Sequence, residues 1–140
     1  MVPLQPLLLP VLVALGVGCL ALGVASFVGW VYLDARAHGR SSRSAVAWAV
    51  VALFGPMTLV YLLLVRPRAG PREYPPTRRE RGTLAFALAS VGAMVLGATL
   101  SPPDPLTQVL YLTAFLLVTL PVAALAVSGT VRRRLGEALR

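Results

Sequence analysis

The sequence predicts an all-α, polytopic integral membrane protein with four transmembrane helices in two antiparallel hairpins. Three observations lead there. Of the 140 residues, 57% are hydrophobic and 13% charged, against about 25% charged in a soluble globular domain. A chain this short has too much surface to hide that much apolar material from water. The apolar residues fall in four runs, each near the ~20 residues a helix needs to cross a hydrocarbon core of ~30 Å. The runs lack the two-residue alternation of a membrane barrel, so helix is the structure that satisfies their backbone in lipid.

The first run covers residues 7–33. Pro3, Pro6 and Pro10 keep its approach irregular. It lacks the basic start and small-residue cleavage site of a secretory signal and is expected to be a retained membrane helix. The second run covers 45–65, with Ser44 as the expected cap. Gly55-Pro56 interrupts it, and an interior proline removes one backbone bond and disturbs the preceding turn. The reading adopted is a full span kinked at Pro56; the alternative is a chain that turns back there. Residues 66–82 hold Pro67, Pro71, Pro75, Pro76 and six arginines, which predicts an extended, surface-lying loop. The third run, 83–100, ends at Ser101-Pro102-Pro103-Asp104-Pro105. Asp104 suits an N-cap and Pro105 the first helical position. The fourth run covers 106–131, with a second kink expected at Pro121 and Thr113 and Thr119 placed to satisfy the carbonyls it frees. A basic tail, 132–140, follows. Trp30, Tyr32, Tyr61, Tyr74 and Tyr111 lie near the run ends, where amphipathic rings favour the headgroup level.

All 13 basic residues are arginine, and the formal charge is +8; a lysine-poor genome accounts for the choice. The charge raises the question of nucleic acid. The arginines lie between apolar runs, where positive-inside anchoring puts them, and not on a soluble face with stacking aromatics. No nucleic-acid partner is expected. Four full spans put both termini and 10 arginines in the cytoplasm of a prokaryotic cell, leaving Arg36, Arg40 and Arg43 outside. A re-entrant second run would bring all 13 to the cytoplasmic side and leave the N-terminus outside.

Chemistry-bearing residues are few. Asp34, at the end of the first run, is expected to pair with Arg36 at the interface. His38 and Cys19 are the sole histidine and cysteine, which leaves no zinc set, no bis-histidine haem and no intrachain disulfide. No catalytic site, metal or cofactor is expected. Ala85, Ala89, Ala93 and Gly97 recur every four residues, as do Ala21, Ala25 and Gly29. Such spacing makes one helix stripe, and small residues on it let backbones approach. Arg66, Arg68, Arg78, Arg79, Arg81, Arg132, Arg133 and Arg134 are candidates to hold anionic lipid or an acidic partner.

From Phe27 to Arg66 the chain resembles the two-helix membrane hairpin found before phospholipase D-type nuclease domains and alone in small prokaryotic membrane proteins. The resemblance rests on an aromatic-rich helix end with Asp34 and Arg36, then Trp48, Pro56, Tyr61 and Arg66. It covers under a third of the chain. The family places a glycine after the proline, whereas Gly55 precedes Pro56 here. It implies a membrane anchor and carries over no catalytic residue.

The expected function is a non-catalytic membrane subunit that packs against and stabilises a larger assembly, in contact with anionic boundary lipid and with other integral subunits or copies of itself. Two other classes stay open. One is a homo-oligomeric transporter or channel with an uncharged pore lined by Ser26, Thr58, Ser90 and Thr99. The other is an anchor or virion envelope protein that recruits a partner through its arginine loop.

Overall fold

A computed structural model describes residues 5–129, and all of their regular structure is helical. Helix α1 runs Gln5–Ala37, α2 Ser42–Val51, α3 Gly55–Val60 and α4 Arg66–Arg68, with a π-helical stretch, Tyr61–Val65, joining the last two. Helices α5, Arg78–Leu100, and α6, Pro105–Val127, complete the chain. Three stretches are long and apolar enough to cross a membrane: Leu8–Ala37, Arg78–Leu100 and Pro105–Val127. The second run is not among them.

That run is broken at Gly55-Pro56, where an interior proline would cost a backbone bond and strain the preceding turn. Its ring would meet the carbonyl of the residue four back, which is Ala52. Helix α2 stops one residue earlier, at Val51, the chain turns through 52–54, and Pro56 falls in the first turn of α3. The carbonyl of Ala52 then accepts the Thr58 hydroxyl at 2.9 Å. Pro56 therefore starts a helix; it does not kink one. The cap of α2 also differs from expectation. Ser41 accepts the Ser44 N–H at 3.3 Å, so Ser44 is the donor and the helix begins at Ser42.

Two compact units form. One contains residues 1–23 and 85–140, the other 24–84. In the first, α1, α5 and α6 pack through Ala89, Ala93, Leu112, Leu116 and Ala123, with Cys19, Leu20, Phe86, Phe115 and Leu120 against them. Glycine sets the spacing. A Cβ at Gly16 would run into the Val109 carbonyl, and one at Gly23 would lie 2.6 Å from the Ser90 hydroxyl. The Thr119 hydroxyl bonds across to the Ala89 carbonyl at 2.8 Å and back to Phe115 at 3.0 Å. It does not reach the carbonyl that Pro121 frees, and the Thr113 hydroxyl makes no hydrogen bond. Helix α6 continues through Pro121.

Asp104 caps α6, accepting from the Thr107 N–H at 2.8 Å and its hydroxyl at 2.7 Å, with Pro105 in the first turn. These two bonds hold its carboxyl below the ordinary value. A depressed folded-state pKa means the cap stabilises above the ordinary carboxylate range and is lost as pH falls through the lowered value. Helix α5 starts at Arg78, five residues before the apolar run. Thr77 caps it, its hydroxyl accepting the Glu80 N–H at 3.2 Å and its carbonyl the Arg81 N–H at 3.0 Å.

In the second unit, Trp30, Val31 and Ala35 of α1 pack against Ala45, Ala49 and Ala52 of the α2 segment and against Tyr61. Helix α1 ends in a left-handed cap. Gly39 has φ +74, its N–H bonds the Arg36 carbonyl at 3.1 Å, and the Arg40 N–H reaches back to Ala35 at 3.2 Å. This six-to-one and five-to-two pair is the Schellman arrangement. It reverses the chain so that α2 runs back along α1. A Cβ at Gly39 would also collide with the Glu73 carboxylate. Gly39→Ala should therefore cost about 1–2 kcal/mol for the left-handed conformation and a smaller further amount for moving the exposed Glu73 carboxylate aside. Gly70 has φ +84 and open space around it, so Gly70→Ala should cost less. Denaturant titration of both variants in mixed micelles checks the order, and equal losses would contradict it.

Candidate functional site

The second unit converges on one carboxylate. Asp34 lies three residues before the end of α1 with no exposed surface. An ionised carboxylate removed from water costs several kcal/mol unless charges and donors replace that water. Three side chains do so here. Tyr61 donates its hydroxyl to Oδ2 at 2.9 Å, Arg66 sets Nε 3.2 Å from the same oxygen, and Arg72 donates from Nη1 to Oδ1 at 3.1 Å. The second terminal nitrogen of Arg72 donates to Glu80 Oε1 at 2.5 Å, and its Nε to the Tyr74 carbonyl at 3.4 Å. Arg72 thus bridges two buried carboxylates from separate parts of α1 and α5. His38 closes the cluster, its Nδ1 bonding the Asp34 carbonyl at 2.7 Å.

Local structure explains how Tyr61 and Arg66 reach one oxygen. In an α-helix, residues five apart point about 140° from each other. Here the Arg66 N–H bonds the Tyr61 carbonyl, five residues back, across the π-helical stretch. That wider turn stacks residues five apart on one face. Pro67 lies in the turn that follows and has no N–H with which to continue an ordinary ladder. Trp48 of α2 tilts against the Tyr61 ring at 5.8 Å and holds it in place.

The cluster has a topological consequence. A straight helix over 45–65 would carry Arg66 about 30 Å from the end of α1. It lies against Asp34 instead. The 42–68 segment therefore turns at 52–54 and brings Arg66 back to the end of α1 from which it left. The 66–77 loop is tied down as well. The Glu73 N–H bonds the Ala37 carbonyl at 2.7 Å, Arg72 is three-quarters buried, and Glu80 is buried. This corrects the expectation of an unpacked loop. The expected Asp34–Arg36 pair is corrected too, because Arg36 donates to the Arg40 carbonyl at 2.9 Å.

The other candidates divide as follows. Ala85, Ala89, Ala93 and Gly97 are buried along α5. Ala21 and Ala25 are exposed, and Gly29 is half-exposed with open space over it, so this row is not buried as the α5 row is. Arg68, Arg78, Arg79 and Arg81 are exposed, and Arg66 keeps 41% of its side chain exposed. Arg132, Arg133 and Arg134 lie outside the described residues. The hydroxyls of Thr58, Ser90 and Thr99 each donate to a backbone carbonyl earlier in the chain, that of Ala52, Phe86 and Val95, and Ser26 is half-buried. Among the described residues no group of three His, Cys, Asp or Glu side chains is placed to hold a metal. Comparison with known protein families, with characterised proteins and with solved structures finds no match.

Sequence reasoning passed over Arg72 and Glu80. One signal was available: Thr77-x-x-Glu80 is a helix-start pattern, and it moves the start of α5 back into the loop, beside Arg72. The structure ranks the parts of the cluster. Asp34→Asn removes one of the two buried carboxylates that hold Arg72 and leaves Glu80 as the other, so it should cost about 3 kcal/mol, the low end for a broken buried pair. Tyr61→Phe removes one hydrogen bond to a charged acceptor, about 1.5–3 kcal/mol. Arg66→Gln should cost under ~1 kcal/mol because water screens its exposed half. Unfolding free energies in mixed micelles test this ranking; an Asp34→Asn loss no larger than that of Arg66→Gln would sink it.

Proposed function

We propose that this chain is a non-catalytic integral membrane subunit with three through-spans, α1, α5 and α6, and a re-entrant helical hairpin, α2–α3, and that it packs into a larger membrane assembly. The pairing of Asp34 with both Arg66 and Arg72 carries the reading. Two antiparallel hairpins of full spans would place Arg66 across the bilayer from Asp34. With the hairpin returning, the loops after α1 and after α4 share one side. The positive-inside rule then places all 13 arginines in the cytoplasm, with the N-terminus outside. Helix α2 is ~15 Å long, half the hydrocarbon thickness, so the turn at 52–54 reaches the bilayer midplane.

Backbone that turns at that depth must be satisfied without water. The N–H groups of Ala52, Leu53, Phe54 and Met57 are bonded to Trp48, Val50, Val51 and Phe54, and the Ala52 carbonyl to Thr58. The hairpin is thus suited to apolar surroundings. Both carboxylate oxygens of Asp34 are engaged, which makes this acid a latch between segments and leaves no free proton carrier for a coupled transporter. The exposed faces, Ala21 and Ala25 on α1 and Leu53 and Phe54 at the hairpin turn, are available to neighbouring subunits.

Two measurements test this. In a Cys19→Ala background, Ser42→Cys should react with an impermeant thiol reagent only after permeabilisation, and Pro102→Cys should react in intact cells. Labelling of Ser42→Cys in intact cells would restore the four-span arrangement. Gentle extraction and mass spectrometry should find stoichiometric foreign membrane subunits. A pure homo-oligomer that conducts in liposomes would replace the subunit reading with the channel reading.

A further inference from the structure

The arginines of residues 24–84 outnumber the acids nine to three. Two of the acids, Asp34 and Glu80, are enclosed and already held by Arg66 and Arg72. Arg36, Arg43, Arg68, Arg78, Arg79 and Arg81 are exposed, and none forms an ion pair among the described residues. Their placement is specific. Arg36 is in the last turn of α1, Arg43 in the first turn of α2, Arg68 at the end of α4, and Arg78, Arg79 and Arg81 in the first two turns of α5. Each lies at or within a few residues of the boundary of an apolar helix, which is headgroup depth in a bilayer. Four of the six also stand at helix starts, where the helix dipole disfavours cations. Glu80 is the acid in that turn of α5, and Arg72 takes it. No ion pair among the described residues compensates this charge.

We propose that this surface binds the phosphodiester headgroups of anionic phospholipids in the leaflet it faces. Guanidinium groups hold phosphate oxygens through paired hydrogen bonds. Phosphates placed among Arg78, Arg79 and Arg81 would also offset the unfavourable dipole at the start of α5. The inference deepens the membrane reading and depends on it for the depth of these arginines. The contribution of each exposed arginine beside an anionic surface corresponds to about a five-fold gain in association.

The test uses the full chain in nanodiscs of equimolar phosphatidylglycerol and phosphatidylcholine, with retained lipids counted by native mass spectrometry. The wild-type chain should retain phosphatidylglycerol in excess. The triple variant Arg78→Gln, Arg79→Gln, Arg81→Gln should lower that preference by at least about ten-fold, given the per-arginine factor. High salt should lower it as well, and inorganic phosphate at matched ionic strength should not displace the lipid. Equal retention of the two lipids by the wild-type chain would overturn the proposal and leave the surface to a soluble acidic partner. Unchanged preference in the triple variant would also overturn it, and displacement by inorganic phosphate would assign the surface to the free ion. Thiol labelling at Ser42→Cys, run in parallel, separates a failure of lipid binding from a failure of the topology.

Discussion

The Asp34 side chain has no exposed surface, and the second unit is arranged to surround its carboxyl oxygens with donors. Its partners come from three directions. Tyr61 and Arg66 arrive on the returning arm of the hairpin, and Arg72 arrives on the loop that leads to α5. Buried ion pairs seldom add much net stability, because the cost of desolvation cancels most of the attraction. Their use lies in specificity. Residues 42–77 both enclose Asp34 and supply its partners, so its burial and its pairing are achieved together.

Two prolines make that convergence possible, and they act by what they forbid. Pro56 disfavours a continuous helix past Ala52; the chain turns there, and Thr58 supplies the donor for the carbonyl that is left. Pro67 cannot continue the ordinary ladder, and the residues before it widen into a π turn that sets Tyr61 and Arg66 on one face. Neither proline touches the carboxylate in any hydrogen bond. Each removes one backbone option and leaves the geometry in which the carboxylate is satisfied.

Much of this was legible in the sequence, and the remainder divides by physical cause. The long spans were readable because hydrocarbon thickness fixes helix length, and the cap at Asp104-Pro105 because capping is local. The hairpin was posed as an alternative at Gly55-Pro56. Periodicity could not choose it, because a kinked span and a turned-back pair share the same apolar pattern. The contacts that gather residues 42–80 around Asp34 lie 27 and 38 residues apart in the chain, and no local signal encodes those. The packing glycines show the same limit. Ala21, Ala25 and Gly29 have the spacing of a contact stripe, yet Gly16 and Gly23, seven apart, make the close approach. Which side of a helix meets a neighbour depends on where the neighbour lies.

The charges thus separate into two sets with different roles. Asp34, Glu80, Arg66 and Arg72 neutralise one another, and their loss would change how the chain folds. The six exposed arginines have no acid partner among the described residues, and their loss should change what the chain binds. A surface designed only for orientation needs an excess of positive charge in its cytoplasmic loops, and it has no reason to crowd three arginines into the start of a helix against the dipole. That arrangement is stable once something anionic occupies the position. A headgroup phosphate fits the depth, the charge and the donor geometry together, whereas a soluble acidic partner fits only the charge.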